Sequence, residues 1–329
     1  MINQTVITAL RRYFTPAEVA RLLRLLPKLQ TPIMDLVYPE SRRKQRNSSM
    51  LPLSEIKDIT GAVPVVRKGT RSQPIDGGDN TTLLIDPEAF NPSLTISAAE
   101  LNNLIAMGIE AGVESFSSEK IEILRGICRK GTEIMAAQSL SGKIDYPMTT
   151  ESGALKSYKV DYGAIDTMDA VDITNMSYGD IRKVLEEMYV EQQGSGFAAD
   201  IRFLTSSAAY TKILNVITDL KTFPGQFVAD GLVLEGKYKI VPMTVTYKKP
   251  GSAAATPVIP DKYIQTIDVG APHTLFYLAI DDFEAGLAPM PFFAKVKVMD
   301  DPSAIKIIGN SKPLPAPVLA AMRKRKVVA

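Results

Sequence analysis

The chain has 329 residues, 45% of them hydrophobic and 22% charged, a balance that suits about two globular domains and excludes wholesale disorder. With one cysteine (Cys128) and one histidine (His273), an intrachain disulfide and a Cys/His zinc site are excluded, and a Ser-His-Asp or Cys-His catalytic unit would have to use His273. The net charge of +2 is unevenly spread: residues 1–50 carry +6 and the last ten +4, which leaves −8 for the body between.

Basic ends on an acidic body suggest segments that meet polyanions or acidic neighbours; the alternative is solvated charge at frayed ends. No run reaches the ~18 consecutive apolar residues of a membrane helix. Arg11, Arg12, Arg21 and Arg24 interrupt the first apolar runs, so the N-terminus does not read as a signal peptide. A single cysteine agrees with synthesis in a reducing cytoplasm.

Thr15-Pro16-Ala17-Glu18 predicts a capped helix start with proline at the first helical position. Val19, Leu22, Leu23 and Leu26 follow at helical spacing and Pro27 ends the run, which predicts a short amphipathic helix docked on its own core. Residues 41–49 are polar and basic, and read as an extended arm. Val63, Val65 and Val66, a charged stretch with Arg67, Lys68 and Arg71, the turn Asp76-Gly77-Gly78-Asp79, and Thr81 to Ile85 together predict a long hairpin within 51–97. Two strands alone bury little surface, so this hairpin needs a partner surface. Asp76 and Asp79 could hold a cation, but a plain turn explains them.

Ser97 predicts a helix to about Gly112, and Ser117 or Ser118 a second helix over 117–140 with Leu124, Ile127, Cys128, Gly131, Ile134 and Met135 on one face. Cys128 on that stripe reads as a buried, inert thiol. Gly126 and Gly131 weaken the helix by about 1 kcal/mol each relative to alanine, which points to close packing or a bend. Short strands are predicted at 144–148 and 155–160, joined across Gly153. Ser177 opens a further helix that ends at Gly194-Ser195-Gly196. Residues 201–204 read as a strand, a helix follows from Ser206 or Ser207, and strands fit 231–235 and 238–247. Residues 250–257 read as a flexible loop, with later strands at 263–268, 274–280, 292–299 and 304–308. The pattern is α+β, with one helix–strand unit inserted between the strands of another.

Chemistry-bearing motifs are scarce. Gly194 to Ala199 matches a dinucleotide fingerprint in letters, but it ends a helix and precedes a strand, the reverse of the required context. His273 has no partner in sequence that would make it a base. Asp281, Asp282 and Glu284, and Asp300 with Asp301, could serve acid–base chemistry or a metal, but lie at strand ends where solvated turns explain them. No cofactor is expected.

The order of segments resembles a known family. Met34 to Pro39, the hairpin, a helix ending in Met135-Ala136-Ala137-Gln138-Ser139-Leu140-Ser141-Gly142-Lys143, and Val160-Asp161-Tyr162-Gly163 come in that order. Asp282-Phe283-Glu284, Pro291 to Lys295, Asp301-Pro302-Ser303-Ala304 and Ser311-Lys312-Pro313-Leu314-Pro315 follow. Over residues 30–318 this is similar to the lambda-like major capsid protein E family of tailed bacteriophages, with residues 1–30 resembling an addition to the family length.

The resemblance implies the Hong Kong 97 type of capsid fold. Residues 1–50 would be the N-terminal arm and 51–97 the extended loop. Residues 98–169 and 271–302 would form a peripheral domain with a spine helix at 117–140. An axial domain would take 170–270 and 303–318, leaving 319–329 as a basic tail. The expected function is that of a head-shell subunit, not an enzyme, found in the virion and assembled in the host cytoplasm. It would assemble with itself into hexamers and pentamers, and would meet a portal, a scaffold, a decoration protein and, weakly and without base readout, packaged double-stranded DNA, but no membrane. Arg42, Arg43, Lys44, Arg46, Arg67, Lys68, Arg71, Asp76 and Asp79 are the candidate assembly contacts. The alternatives are a cellular nanocompartment shell, which shares the fold, a DNA-binding protein using its basic ends, and an enzyme built on the acid clusters.

Overall fold

The computed structural model describes residues 8, 11–27, 29–52, 84–97, 100, 109–150, 153–220, 222–299 and 304–328. Two compact units divide the chain: residues 1–50, 86–136 and 274–316 form one, and 51–85, 137–273 and 317–329 the other.

The first unit is built on helices. Helix α1, Pro16–Leu25, starts as expected: the Glu18 amide donates to the Thr15 hydroxyl at 3.4 Å, while the Glu18 carboxylate pairs with Arg21 at 2.7 Å. Its apolar side, Val19 and Leu22, is buried with Phe14 against Ile121, Leu124 and Cys128. Helix α2, Pro32–Val37, follows, and helix α3 runs unbroken over Ile109–Ser139. The expected break near Gly112 and fresh start at Ser117 do not occur. Ser117 is fully buried inside α3, so packing overrides the serine's preference for a cap. The Ser97 hydroxyl accepts from the Glu100 amide while Glu100 accepts from the Ser97 amide, the bonds of a capping box, but most of the helix expected from Ser97 lies outside the described residues.

Two three-stranded sheets complete this unit. Strand 304–310 pairs with 293–299 and with 93–97, both antiparallel. Strand 274–278 pairs in parallel with 43–46 and antiparallel with 313–316. Pro313 and Pro315 are tolerated because 313–316 is an edge. The basic segment at 41–49 is therefore partly a sheet strand. Residues 304–316, expected with 170–270, instead pair with strands of the first unit, where Ile305 and Ile307 fill the core around Leu124 and Phe292.

The second unit carries a seven-stranded sheet in the order 166–168, 322–326, 263–268, 201–205, 238–242, 231–234, 225–228. Strand 201–205, helix α5 (Ser207–Thr218) and strand 238–242 form a parallel crossover, and helix α4 (Tyr178–Gly194) packs its buried Ile181, Val184, Leu185 and Met188 into the same core. Ser177 and Ser206 cap these helices, each hydroxyl accepting the amide three residues on. The antiparallel pair 143–149 and 155–161 matches expectation. Gly142 precedes it at φ +83°, where an added Cβ would lie 2.3 Å from the Gly163 carbonyl oxygen, so only glycine fits.

Three expectations fail in this unit. The strand expected over 238–247 ends at 242, and residues 255–257, read as loop, pair with 246–248. Residues 319–329 do not form a tail: 322–326 is an inner strand between 263–268 and 166–168. The hairpin lies outside the described residues except at its base, where Leu51 and Pro52 pair antiparallel with Ile85 and Leu84.

Candidate assembly surfaces

The basic residues proposed as outward contacts have unequal fates. Arg43 is consumed by its own chain: its Nε donates to the Tyr38 carbonyl at 2.9 Å, and one Nη donates to the Met34 carbonyl at 3.3 Å and to Asp35 at 2.8 Å. Burial opposes ionisation of Asp35, yet the bond from Arg43 and the Thr31 amide hold its carboxyl below the usual range. Lys44, next on the strand, is exposed, while Arg42 and Arg46 are half-buried. Arg67, Lys68, Arg71, Asp76 and Asp79 lie outside the described residues.

The C-terminal charges are internal ties. Arg323 meets Asp166 at 3.2 Å and Arg325 meets Glu187 at 2.6 Å, with Arg325 Nε donating to the Asp169 carbonyl at 2.8 Å. Their stems lie within the sheet, and the expectation that this segment reaches for polyanions is corrected for both arginines.

The residues considered for chemistry take structural parts. His273 is fully buried; its Nδ1 accepts the Val318 amide at 3.0 Å and its Nε2 lies 3.0 Å from the Asp268 carbonyl, which assigns the neutral Nε2–H tautomer. Cys128 is buried, and burial pushes its thiol up to about 12. Asp281 pairs with the buried Lys312 at 2.8 Å, and Asp282 pairs with Lys295. Asp300 and Asp301 lie outside the described residues. Among the described residues no group of three or more His, Cys, Asp or Glu is placed to hold a metal ion, and no helix is long and apolar enough to cross a membrane.

What the structure adds is apolar surface. Phe283 is 91% exposed, Phe223 and Phe227 stack with centroids 5.0 Å apart at the outer strand 225–228 of the seven-stranded sheet, where Val228 is exposed too, and Ile123 and Ile127 stand out from α3. Sequence reasoning missed these, because exposure of an isolated apolar residue leaves no local signal. It also missed Glu133, whose two carboxylate oxygens accept the Ile33 amide at 2.7 Å and the Met34 amide at 3.0 Å. A glutamate on α3 thereby caps α2 from 100 residues away.

A chain of docked helices, a crossover sheet and scattered outward-facing apolar side chains can bind other protein surfaces. The sequence model of phage major capsid protein E matches residues 15–324. The chain belongs to that family. The match begins at α1, so most of the segment read as an addition lies within the family. The capsid fold of the Hong Kong 97 type is shared with a prophage capsid protein of E. coli CFT073, at 15% identity over 95% of this chain and 99% of that one, with a TM-score of 0.58. A phage-related protein of Bordetella bronchiseptica RB50 (9% identity, 95% of this chain and 96% of that one, TM-score 0.47) and an encapsulin of Synechococcus elongatus PCC 7942 (9%, 94% and 95%, 0.45) are more distant. No curated protein sequence matches this chain. As a phage major capsid protein it is a subunit of the head shell, and copies of the chain assemble into that multimeric shell.

Proposed function

We propose that this capsid protein acts without catalysis, as the repeated building block of an icosahedral head that encloses double-stranded DNA. The observation that supports this reading is the extent of the family match, which runs through both compact units. The unit of residues 137–273 and 317–329 would supply the axial surface around five- and six-fold centres. The unit holding α1–α3 would form the periphery of each capsomer. The 51–97 hairpin would lie on a neighbouring subunit, with Arg67, Lys68, Arg71, Asp76 and Asp79 among its contacts. Arg42, Lys44 and Arg46 would meet acidic neighbours, while Arg43 serves its own chain. Synthesis and assembly would take place in the host cytoplasm, with a portal, a scaffold and a decoration protein as further partners.

Contact with packaged DNA would be weak and without base readout, because a genome must leave the shell and tight contacts from every subunit would oppose ejection. Light-scattering mass measurement tests the reading: a shell runs at megadaltons. A small oligomer that binds DNA tightly at physiological salt, with affinity falling steeply against log salt, would favour the DNA-binding alternative.

A further inference from the structure

Helix α3 has one ridge that the described residues of its own chain leave uncovered. At 100° per residue, Glu119, Ile123, Gly126, Ile127 and Lys130 lie along one side. Ile123 is 41% and Ile127 50% exposed, the Glu119 side chain is 65% exposed, and Lys130 is exposed as well. The opposite side, with Ile121, Leu124 and Cys128, is buried in the core. One flank is taken too: Arg125 donates to the Pro27 carbonyl at 3.4 Å and Arg129 to the Thr31 hydroxyl at 2.7 Å.

Gly126 sits in the middle of this ridge, and no described atom lies within 4 Å of where its Cβ would be. Gly131 is different, since a Cβ there would meet the Phe90 ring at 2.8 Å. Packing among the described residues thus explains Gly131 but not Gly126. A mid-helix glycine weakens a helix, and two isoleucines in water beside a bare notch of backbone form a surface shaped for close approach by another element.

We propose that this ridge packs antiparallel on the same ridge of a second copy of the chain, across a two-fold axis between residues 124 and 125. That axis sets Ile123 over the notch at Gly126 of the second copy. The same axis sets Glu119 opposite Lys130 of the second copy. Apolar fit and charge complementarity therefore come from one symmetry operation, which is the requirement of a contact between identical surfaces. The inference rests on the shell reading and deepens it. Head-to-tail contacts close subunits into rings, and joining ring to ring needs a different contact, for which a two-fold is the simplest geometry.

Charge reversal with rescue tests the contact on the full chain. Glu119→Lys alone and Lys130→Glu alone each place like charges together and should lower the yield of closed particles about tenfold. The double variant restores both pairs and should recover the yield to within about twofold of wild type. Gly126→Ala should raise the melting temperature of the unassembled subunit by about 2–4 °C while lowering particle yield, opposite signs that a purely structural glycine would not give. If wild-type protein makes no shells, the shell reading fails. If wild type assembles and the single reversals assemble equally well, the contact is wrong. It is also wrong if the double variant is no better than the worse single one, which would point to a different protein on this ridge.

Discussion

Replacing Glu133 should loosen the N-terminal segment from helix α3. In the native chain its two oxygens satisfy the amides of Ile33 and Met34, residues that are themselves fully buried. Glu133→Ala leaves both amides without an acceptor. Loss of a cap alone costs about 0.5–2 kcal/mol, and an unsatisfied buried donor about 1–3 kcal/mol. Relief from burying a carboxylate offsets part of this, so the net loss should be about 2–3 kcal/mol. Glu133→Gln keeps one good acceptor and should lose about 1 kcal/mol.

The pH dependence has a defined sign. Burial pushes the Glu133 carboxyl above its ordinary value of 4.5; the two amides and Arg129 pull it back, and Asp35 adds to the push. A folded-state value above the unfolded one means that the folded chain holds the proton more tightly. The resulting stability is fully present below the unfolded value and is lost as pH rises through the folded one. Glutamine cannot titrate, so the advantage of wild type over Glu133→Gln should shrink as pH rises from below 4.5. Asp35 titrates in both proteins and largely cancels in the difference. Urea unfolding of both chains across pH, with hydrogen exchange at Ile33 and Met34, makes the measurement. Equal stability of Glu133→Ala and wild type, or a wild-type advantage that grows with pH, would refute the reasoning.

Gly131→Ala should destabilise the subunit by about 1–2 kcal/mol in chemical denaturation, because the clash with Phe90 outweighs the gain in helix propensity; a stabilised variant would contradict the packing. Cys128 should resist maleimide at neutral pH in native protein and react only after unfolding, as its burial and raised thiol require. Truncation after Val318 removes an inner strand with two arginine ties, and the product should be insoluble or lose cooperative melting, whereas a frayed tail would be dispensable. Deletion of residues 69–80 should leave a folded subunit that makes no closed shells, and serine at Arg42, Lys44 and Arg46 should reduce particle number more than DNA content per particle. Normal particles from the deletion, or full shells emptied of DNA from the serine variant, would remove these segments from the assembly contacts.

Local features were legible in the sequence. Thr15, Ser177 and Ser206 cap where their side chains and following periodicity say they should, because a cap is settled within four residues. Long-range pairing was not. The sequence reads 304–308 as strand, but the partners at 93–97 lie about 210 residues away in sequence and no local pattern names them. The segment 322–326 looked like a basic tail because its charges hide a strand; Asp166 and Glu187, which neutralise two of its arginines, are brought near only by the fold. Local propensity splits α3 between Gly112 and Ser117, yet the helix runs through both, and at Ser117 tertiary burial outweighs the preference for a cap. Charge pattern puts Arg43 and Lys44 alike among the candidate contacts; Lys44 is exposed, whereas the fold turns Arg43 inward to Asp35 and the end of α2. The ridge at Ile123, Gly126 and Ile127 was invisible for a related reason: Ile127 belongs to the same apolar series as Leu124 and Cys128, and only the tertiary packing decides which members face out.

The central claim, that copies of this chain close into a shell, is tested most directly by negative-stain microscopy of the purified full-length protein. Closed, uniform, icosahedral particles with the chain as their major component are the expected result. A field of small oligomers of fixed stoichiometry, unchanged by concentration and present in preparations that melt cooperatively, would contradict it.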